Sequence, residues 1–342
     1  MDRRRRGRRP GRGPSPKILT EPKILTEPKV LTEIGSMPTN HHAAGAPADQ
    51  STDIPQVGLA IITGSANWGL AFPEDVEFDG VRTLRRDMSF ETPFGRTDNW
   101  KLLEFDASIT AEGKAKRALC MYSHGNPRDH IDHSCHRRAF WVLMKAGVRQ
   151  VLACSTVGAV NKAIQPGDMV VNADIIELTQ TPFSLLPDRQ SFDCSGKQIV
   201  CPRCAAVLVE TARRHWPAEC RVHGVEQQLV AAHCYGPRLT TPAEALAYRG
   251  MGADVLNHSI APEATLAREI GACFVPCAFV TAGFNDYMDR NRQKLLQEDV
   301  LPNLSMTASR VALETAARLP ASPECSCQGL KSPQPEERST RF

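Results

Sequence analysis

No apolar run in this 342-residue chain approaches the roughly 18 residues that a membrane-spanning helix requires, so no membrane partner is expected. Charge of one sign is scarce as well. The net charge is +3, and Arg3, Arg4, Arg5, Arg6, Arg8, Arg9 and Arg12 alone carry seven positive charges. The rest of the chain is slightly acidic, which argues against a nucleic-acid partner for the folded part. Also missing are the nucleophile elbow of serine hydrolases, the Walker phosphate loop and the dinucleotide fingerprint, so three common routes to chemistry on an α/β scaffold are set aside. The chain opens without an apolar signal segment, so we expect its cysteines to be reduced and the protein to be cytoplasmic.

What the sequence does have is twelve cysteines, with 42% hydrophobic and 23% charged residues, ordinary values for a globular protein. Several cysteines lie inside apolar runs such as Val151-Leu-Ala-Cys154 and Ala272-Cys-Phe-Val275, where cysteine behaves as a small hydrophobe. Cys201-Pro-Arg-Cys204 has the spacing of a zinc or redox pair. A zinc site needs a second pair, and Cys325-Ser-Cys327 is only a loose match, so no metal is expected.

Residues 1–54 read as a disordered arm. The arginine run is followed by three copies of a six-residue unit, beginning at Pro16, Pro22 and Pro28, and a proline every six residues blocks a continuous helix. From Val57 the text becomes globular. Val57–Ile62 is an apolar strand, another strand ends near Met121, and Val151–Cys154 is a buried strand ending in Ser155-Thr-Val-Gly158. Met169–Leu178, Ala253–Leu256 and Cys273–Thr281 read as further strands. Helices are expected over His136–Ala146 (with Phe140, Trp141, Leu143 and Met144 on the apolar side), Cys204–His215, Pro242–Met251 and Pro262–Ile270, and over a long segment ending near Leu319. Such alternation implies one α/β domain, residues 55–319, with a mostly parallel central sheet flanked by helices. Residues 320–342 are expected to be a loose tail.

In sheets of this kind ligands bind beyond the carboxyl ends of the strands. Four of those ends carry small hydroxyl or histidine residues: Gly64-Ser65, Ser123-His124, Ser155-Thr156 and Asn257-His-Ser259. Each alone reads as a turn or a helix cap. Together they suggest an anion site, because hydroxyls and exposed N–H groups cradle anionic oxygens.

The motifs Ile61-Ile-Thr-Gly-Ser65, Thr92-Pro-Phe-Gly95, His124-Gly125, Gln165-Pro-Gly-Asp168, Gly236-Pro-Arg238, Gly252-Ala-Asp-Val-Leu-Asn257 and Pro262-Glu263 occur in the order found in the methylthioadenosine phosphorylase/purine nucleoside phosphorylase family. The resemblance covers about residues 57–318. It implies a nucleoside phosphorylase-like fold, a homotrimer, and a pentosyltransferase of purine salvage. The reaction would be phosphorolysis of a purine nucleoside, 5′-methylthioadenosine or 5′-methylthioinosine foremost, with inorganic phosphate as co-substrate and no cofactor. By position, Ser65, His124, Ser155, Thr156 and Ser259 resemble the phosphate-binding residues, and Asn257, His258 and Phe284 lie on the nucleoside side.

Several positions depart from the family. Ser123 stands where an arginine contacts phosphate, with Arg128 a few residues on, and His258 where a methionine lies under the ribose. A histidine there either bonds ribose or phosphate or merely fills the methionine's space. Arg238 belongs to the base-side loop or to a structural ion pair, and Asp254 and Glu263 read as fold-stabilising. Asp129-His-Ile-Asp-His133 looks like a metal cluster but falls where the family has a mobile, metal-free loop. Ala282 stands where the family places the Asp or Asn that assists the leaving purine, and it has no proton to give. Asp286, or Asn285, would then supply that group. The alternative is a nucleoside-binding protein that kept the fold and lost the chemistry, or an Asp286 that simply caps a helix.

Overall fold

A computed structural model describes residues 53–327 apart from 68, 124–133, 180–183, 186–193, 195–198, 237, 290–296 and 323, and all structural statements concern these described residues. The sequence Leu-Ala-Ile-Ile-Thr forms β1 (Leu59–Thr63), buried at every position, as befits a central strand covered on both faces. Next come β2 (Val81–Phe90), β3 (Thr97–Phe105), β4 (Lys116–Tyr122), α1 (Ser134–Lys145) and β5 (Gln150–Ala159). They are followed by β6 (Met169–Val170), β7 (Asp174–Ile176), α2 (Pro202–His215), β8 (Val222–His223) and β9 (Val230–His233). The chain closes with α3 (Pro242–Gly250), β10 (Val255–Asn257), α4 (Ile260–Glu269), β11 (Cys273–Ala282), α5 (Phe284–Met288) and α6 (Gln297–Arg318).

All these strands join one sheet, ordered β2-β3-β4-β1-β5-β10-β9-β7, with β11 on β5 and β6, and β8 on β6. Pairing is parallel for β1 with β4 and β5, for β5 with β11, and for β9 with β7 and β10. The expected mostly parallel sheet flanked by helices is present. It carries an antiparallel extension in which β2 and β3, neither of them expected, are added to β4, the strand expected to end near Met121. Most residues of β2 are exposed or half-buried and three are arginines, so it reads as surface until β3 is seen beside it.

Other boundaries differ from expectation for physical reasons. β5 does not stop at Cys154 but runs through Ser155-Thr156-Val157-Gly158 to Ala159, because β11 pairs with it from Gln150 to Gly158. The strand expected over Met169–Leu178 is broken into β6 and β7, which pair with different partners. On α1, Phe140 and Leu143 are fully buried as expected, but Met144 is exposed. The tail is packed as far as Cys327, which is buried, while Pro320 accepts a bond from Gln150 Nε2. Residues 328–342, like the arm up to residue 52, lie outside the described residues.

β1 and β10 share one edge of β5. β1 pairs with it in parallel from Gln150 to Ala153, and β10 pairs antiparallel at Gly158 and Ala159, while β11 takes the other edge. Between the ends of β1 and β10, residues 154–157 of β5 face no strand on that edge. This interruption positions the site.

Candidate active site

Side chains close the gap. The Thr156 N–H donates to Ser65 Oγ (3.1 Å), as does the Thr156 hydroxyl (2.9 Å). Ser65 is delivered there by a short 3-10 turn that begins where β1 ends. On the other flank, Asn257 Nδ2 donates to the Thr156 carbonyl (2.8 Å) and to Ser155 Oγ (2.8 Å). A hydroxyl and an amide thus bind the backbone groups that a neighbouring strand would otherwise take.

Asn257 also organises α4. Its Oδ1 accepts the N–H groups of Ser259 and Ile260, both at 2.6 Å, and the Ser259 hydroxyl at 3.2 Å. Ser259 is the N-cap residue of α4 yet makes no side-chain cap bond, because Asn257 does that work. Its Oγ lies instead 3.5 Å from Ser155 Oγ. Ser65, Ser155, Thr156 and Ser259, with 91 residues between bonded Ser65 and Thr156 and 104 between Ser155 and Ser259, therefore gather at the amino end of a ten-residue helix. That end carries a partial positive charge. Glu263 sits in the same helix's first turn, and burial pushes its carboxyl up to about 8, so it places no full negative charge there at neutral pH. His136 Nδ1 lies 3.7 Å from it. All the partners in this hydroxyl cluster are neutral. Ser123, in the place of the family's arginine, is tied to the Thr63 carbonyl. His124, Arg128 and the run from Asp129 to His133 lie outside the described residues.

His258 is half-buried, and its Nδ1–H donates to the Cys234 carbonyl (2.6 Å). Beneath it, buried His233 donates from Nε2 to the His258 carbonyl (3.1 Å), and its Nδ1 faces the Glu177 carboxylate. Burial pushes Glu177 up, but hydrogen bonds from His233 and Thr179 outweigh it and leave the carboxyl below its ordinary value. His258 thus has a fixed ring orientation, which a side chain merely filling space does not require.

Asp286 and Asn285, the residues expected to assist a leaving purine, lie in the short helix α5. Asp286 Oδ2 accepts the Gly283 N–H at 2.6 Å, so its carboxylate fastens the first turn of α5. Asn285 is exposed. Lys162 and Arg249 each lie over the Phe284 ring, 4.9 Å from its centre. Sequence reasoning did not single out Tyr287, whose side chain the structure brings against Gly158 of β5. A β-carbon built on Gly158 would lie 1.7 Å from the Tyr287 hydroxyl oxygen, so only glycine at 158 admits that side chain. Gly158 follows Thr156 by two residues and shares its face of β5. A glycine inside a strand was the available signal, since it marks close approach by another group.

Arg238 forms a two-pronged ion pair with Glu244 (2.8 and 2.5 Å) and is a structural partner, holding the Glu244 carboxyl at about 2. Asp254 binds the Val230 N–H and Asn161 Nδ2, each at 2.8 Å, and also serves the fold. The turn Gln165-Pro-Gly-Asp168 does so too. Gly167 adopts φ +92°, and Asp168 Oδ1 and Oδ2 bind the N–H groups of Arg221 (2.8 Å) and Gln165 (2.9 Å).

A mostly parallel sheet flanked by helices, with a cluster of hydroxyls at an interrupted strand edge beside a helix amino end, defines the class of α/β protein. The family model described as the phosphorylase superfamily matches residues 90–317, and the chain belongs to that superfamily. It is similar to the 6-oxopurine nucleoside phosphorylase of Pyrococcus furiosus, 27% identical over 263 residues, covering 73% of this chain and 92% of that protein. It is also similar to the probable S-methyl-5′-thioinosine phosphorylase of Methanopyrus kandleri, 26% identical, covering 62% and 81%. Among solved structures, a methylthioadenosine phosphorylase from an antarctic soil metagenomic library shares the fold, with TM-score 0.60 and 22% identity, over 76% of this chain and 85% of that one.

Proposed function

We propose that this enzyme catalyses phosphorolysis of a purine nucleoside, 5′-methylthioadenosine or 5′-methylthioinosine foremost, to the free base and 5-methylthioribose 1-phosphate. The observation that carries the reading is the convergence of Ser65, Ser155, Thr156 and Ser259 on one gap at the start of α4. Inorganic phosphate is the co-substrate. The relatives' names divide between 6-oxopurine and methylthio nucleosides, and both classes belong in the assay.

In this reading the hydroxyls rotate from the protein acceptors they now serve to donate to phosphate and hold it against the anomeric carbon, where it stabilises the positive ribose of the transition state and then attacks it. Asn257 is a positioning residue, since both ends of its amide are bonded to protein. His258 takes the ribose side, and His124 completes the phosphate shell by resemblance. For the purine we assign the donor role to Tyr287, whose hydroxyl lies over the strand face that carries Thr156. The engagement of Asp286 with Gly283 supports the helix-cap role for that residue over the acid role. The same engagement, with Ala282 at the usual acid's place, favours the second reading, a nucleoside-binding protein without turnover. We carry the homotrimer and the cytoplasmic location as part of the proposal, the first to be read by light scattering.

The test is incubation with phosphate and, separately, 5′-methylthioadenosine, 5′-methylthioinosine, adenosine, inosine and guanosine, with free base followed by chromatography. Phosphate-dependent base release supports the enzyme. Nucleoside binding by calorimetry without any base release supports the second reading.

A further inference from the structure

Far from the phosphate gap, the fold brings together cysteines that the sequence keeps apart. The sulfurs of Cys201, Cys273, Cys325 and Cys327 all lie within 4.8 Å of one another. They come from three places: Cys201 is the N-cap of α2, Cys273 is the first residue of β11, and Cys325 and Cys327 follow α6. Cys201, Cys273 and Cys327 are buried and Cys325 is half-buried, with Cys273 and Cys325 sulfurs 3.3 Å apart. Cys204, one turn into α2, is buried beside them and shares hydrogen bonds with Cys201 and Cys273. All are free thiols.

We infer that these four cysteines form a structural zinc site, a closed tetrathiolate that fastens the end of the chain to the sheet. Zinc–sulfur bonds of about 2.3 Å in a tetrahedron put sulfurs about 3.8 Å apart, so the cluster needs shifts of only about 1 Å to close on the ion. An all-thiolate donor set at tetrahedral spacing selects a soft or borderline metal, and excludes magnesium and calcium, which take oxygen. Binding releases the thiol protons to solvent, and the ion with four thiolates carries a net charge of −2. Two features oppose that charge. Arg268, 1% exposed, hydrogen-bonds to Cys327, and the amino end of the fourteen-residue α2 points its partial positive charge at Cys201. No place is left for water as a fifth partner in a set of four protein ligands, so the site is structural and not catalytic.

Its location fits that role. β11 runs from Cys273 to Ala282, so the cluster and the proposed purine side lie at opposite ends of one ten-residue strand, about 30 Å apart at ~3.3 Å per residue. The expectation of a metal-free protein rested on a single CxxC pair. Only Cys201 of that pair is in the set of four; the other three are the tail residues Cys325 and Cys327, a loose match by spacing, and Cys273, which no spacing links to either pair.

The full chain, carrying a non-histidine affinity tag and purified without chelator, is analysed for metal by mass spectrometry. About one zinc per chain is expected, released when a mercurial titrates the thiols. Cys325→Ser and Cys327→Ser should each lose most of the zinc, whereas Cys220→Ser, outside the cluster, should retain it. Cobalt substitution should give the absorption of tetrahedral cobalt–thiolate. If Cys327→Ser fails to fold, the half-exposed Cys325→Ser decides the matter. Stripping zinc should lower the melting temperature by several degrees and leave the KM for phosphate unchanged. A folded wild-type protein that is metal-free overturns the site, as does one whose non-reduced mass shows these cysteines joined as disulfides. Zinc retained in both Cys325→Ser and Cys327→Ser overturns it as well.

Discussion

Asn257 is the position at which fold stability and phosphate binding can be separated. Its Nδ2 serves Ser155 and Thr156, and its Oδ1 serves the first N–H groups of α4. Asn257→Ala removes both halves. Leaving the Thr156 carbonyl without its donor costs roughly 1–3 kcal/mol, and loss of the helix cap adds about 1 kcal/mol. Asn257→Asp keeps the cap, which an anion at a helix amino end favours by a further ~0.5 kcal/mol, and loses only the two donations. Asp is therefore expected to be the more stable variant by about 1–1.5 kcal/mol. Phosphate binding should rank the other way. In the alanine variant the Ser155 hydroxyl loses its orienting bond, worth about tenfold in the KM for phosphate. In the aspartate variant a like charge is added, and about a hundredfold is expected. Thermal melts in phosphate-free buffer, and initial rates against phosphate at saturating nucleoside, read the two quantities. If Asn257→Asp is both the more stable variant and the better phosphate binder, the assignment of this gap to phosphate is wrong.

Three further outcomes follow from the geometry. Glu263 has a folded pKa raised by burial to about 8, so its contribution to stability is present below its ordinary pKa and is lost as pH rises from about 4.5 towards 8, by up to ~5 kcal/mol with His136 offsetting part. Glu263→Gln should flatten that slope in melts between pH 5 and 8, and parallel profiles would refute the buried-acid account. Asp286→Ala should cost about 1 kcal/mol of stability with less than tenfold loss of turnover, while Tyr287→Phe should lower kcat by roughly 10²-fold or more at similar stability. The opposite ranking would return the acid role to Asp286. Removing residues 1–50 should leave melting temperature, assembly and turnover intact, since the first backbone anchor among the described residues is Val57 N–H to Ala146 O; loss of the assembly would contradict this.

The parts legible in the sequence were those in which one residue type suffices. β1 and β11 are apolar runs, α2 and α4 carry proline in their first turns, and hydroxyls at strand ends announced themselves singly. What could not be read depends on a partner. The length of β5 is set by β11, the existence of β2 by β3, and the gap by two strands that end short of each other on one edge. Asp286 had two local fates, acid or cap, and only the geometry at Gly283 separates them. Cysteine spacing fails for the same reason, because Cys201 and Cys327 meet only through the packing of α2, β11 and the tail.

The interrupted edge of β5 has a thermodynamic consequence. Its parts come from residues 65, 155–156 and 257–259, with separations of 91 and 102 residues between bonded pairs, so no partly folded segment of the chain holds the constellation. An anion that needs all of it binds the native state and not the unfolded one. At a hundred times its dissociation constant such a ligand adds about 2.7 kcal/mol to the free energy of unfolding. Phosphate in the gap would then act as a missing rung of the sheet, and its concentration would set how tightly β1, β5 and β10 are held together between turnovers.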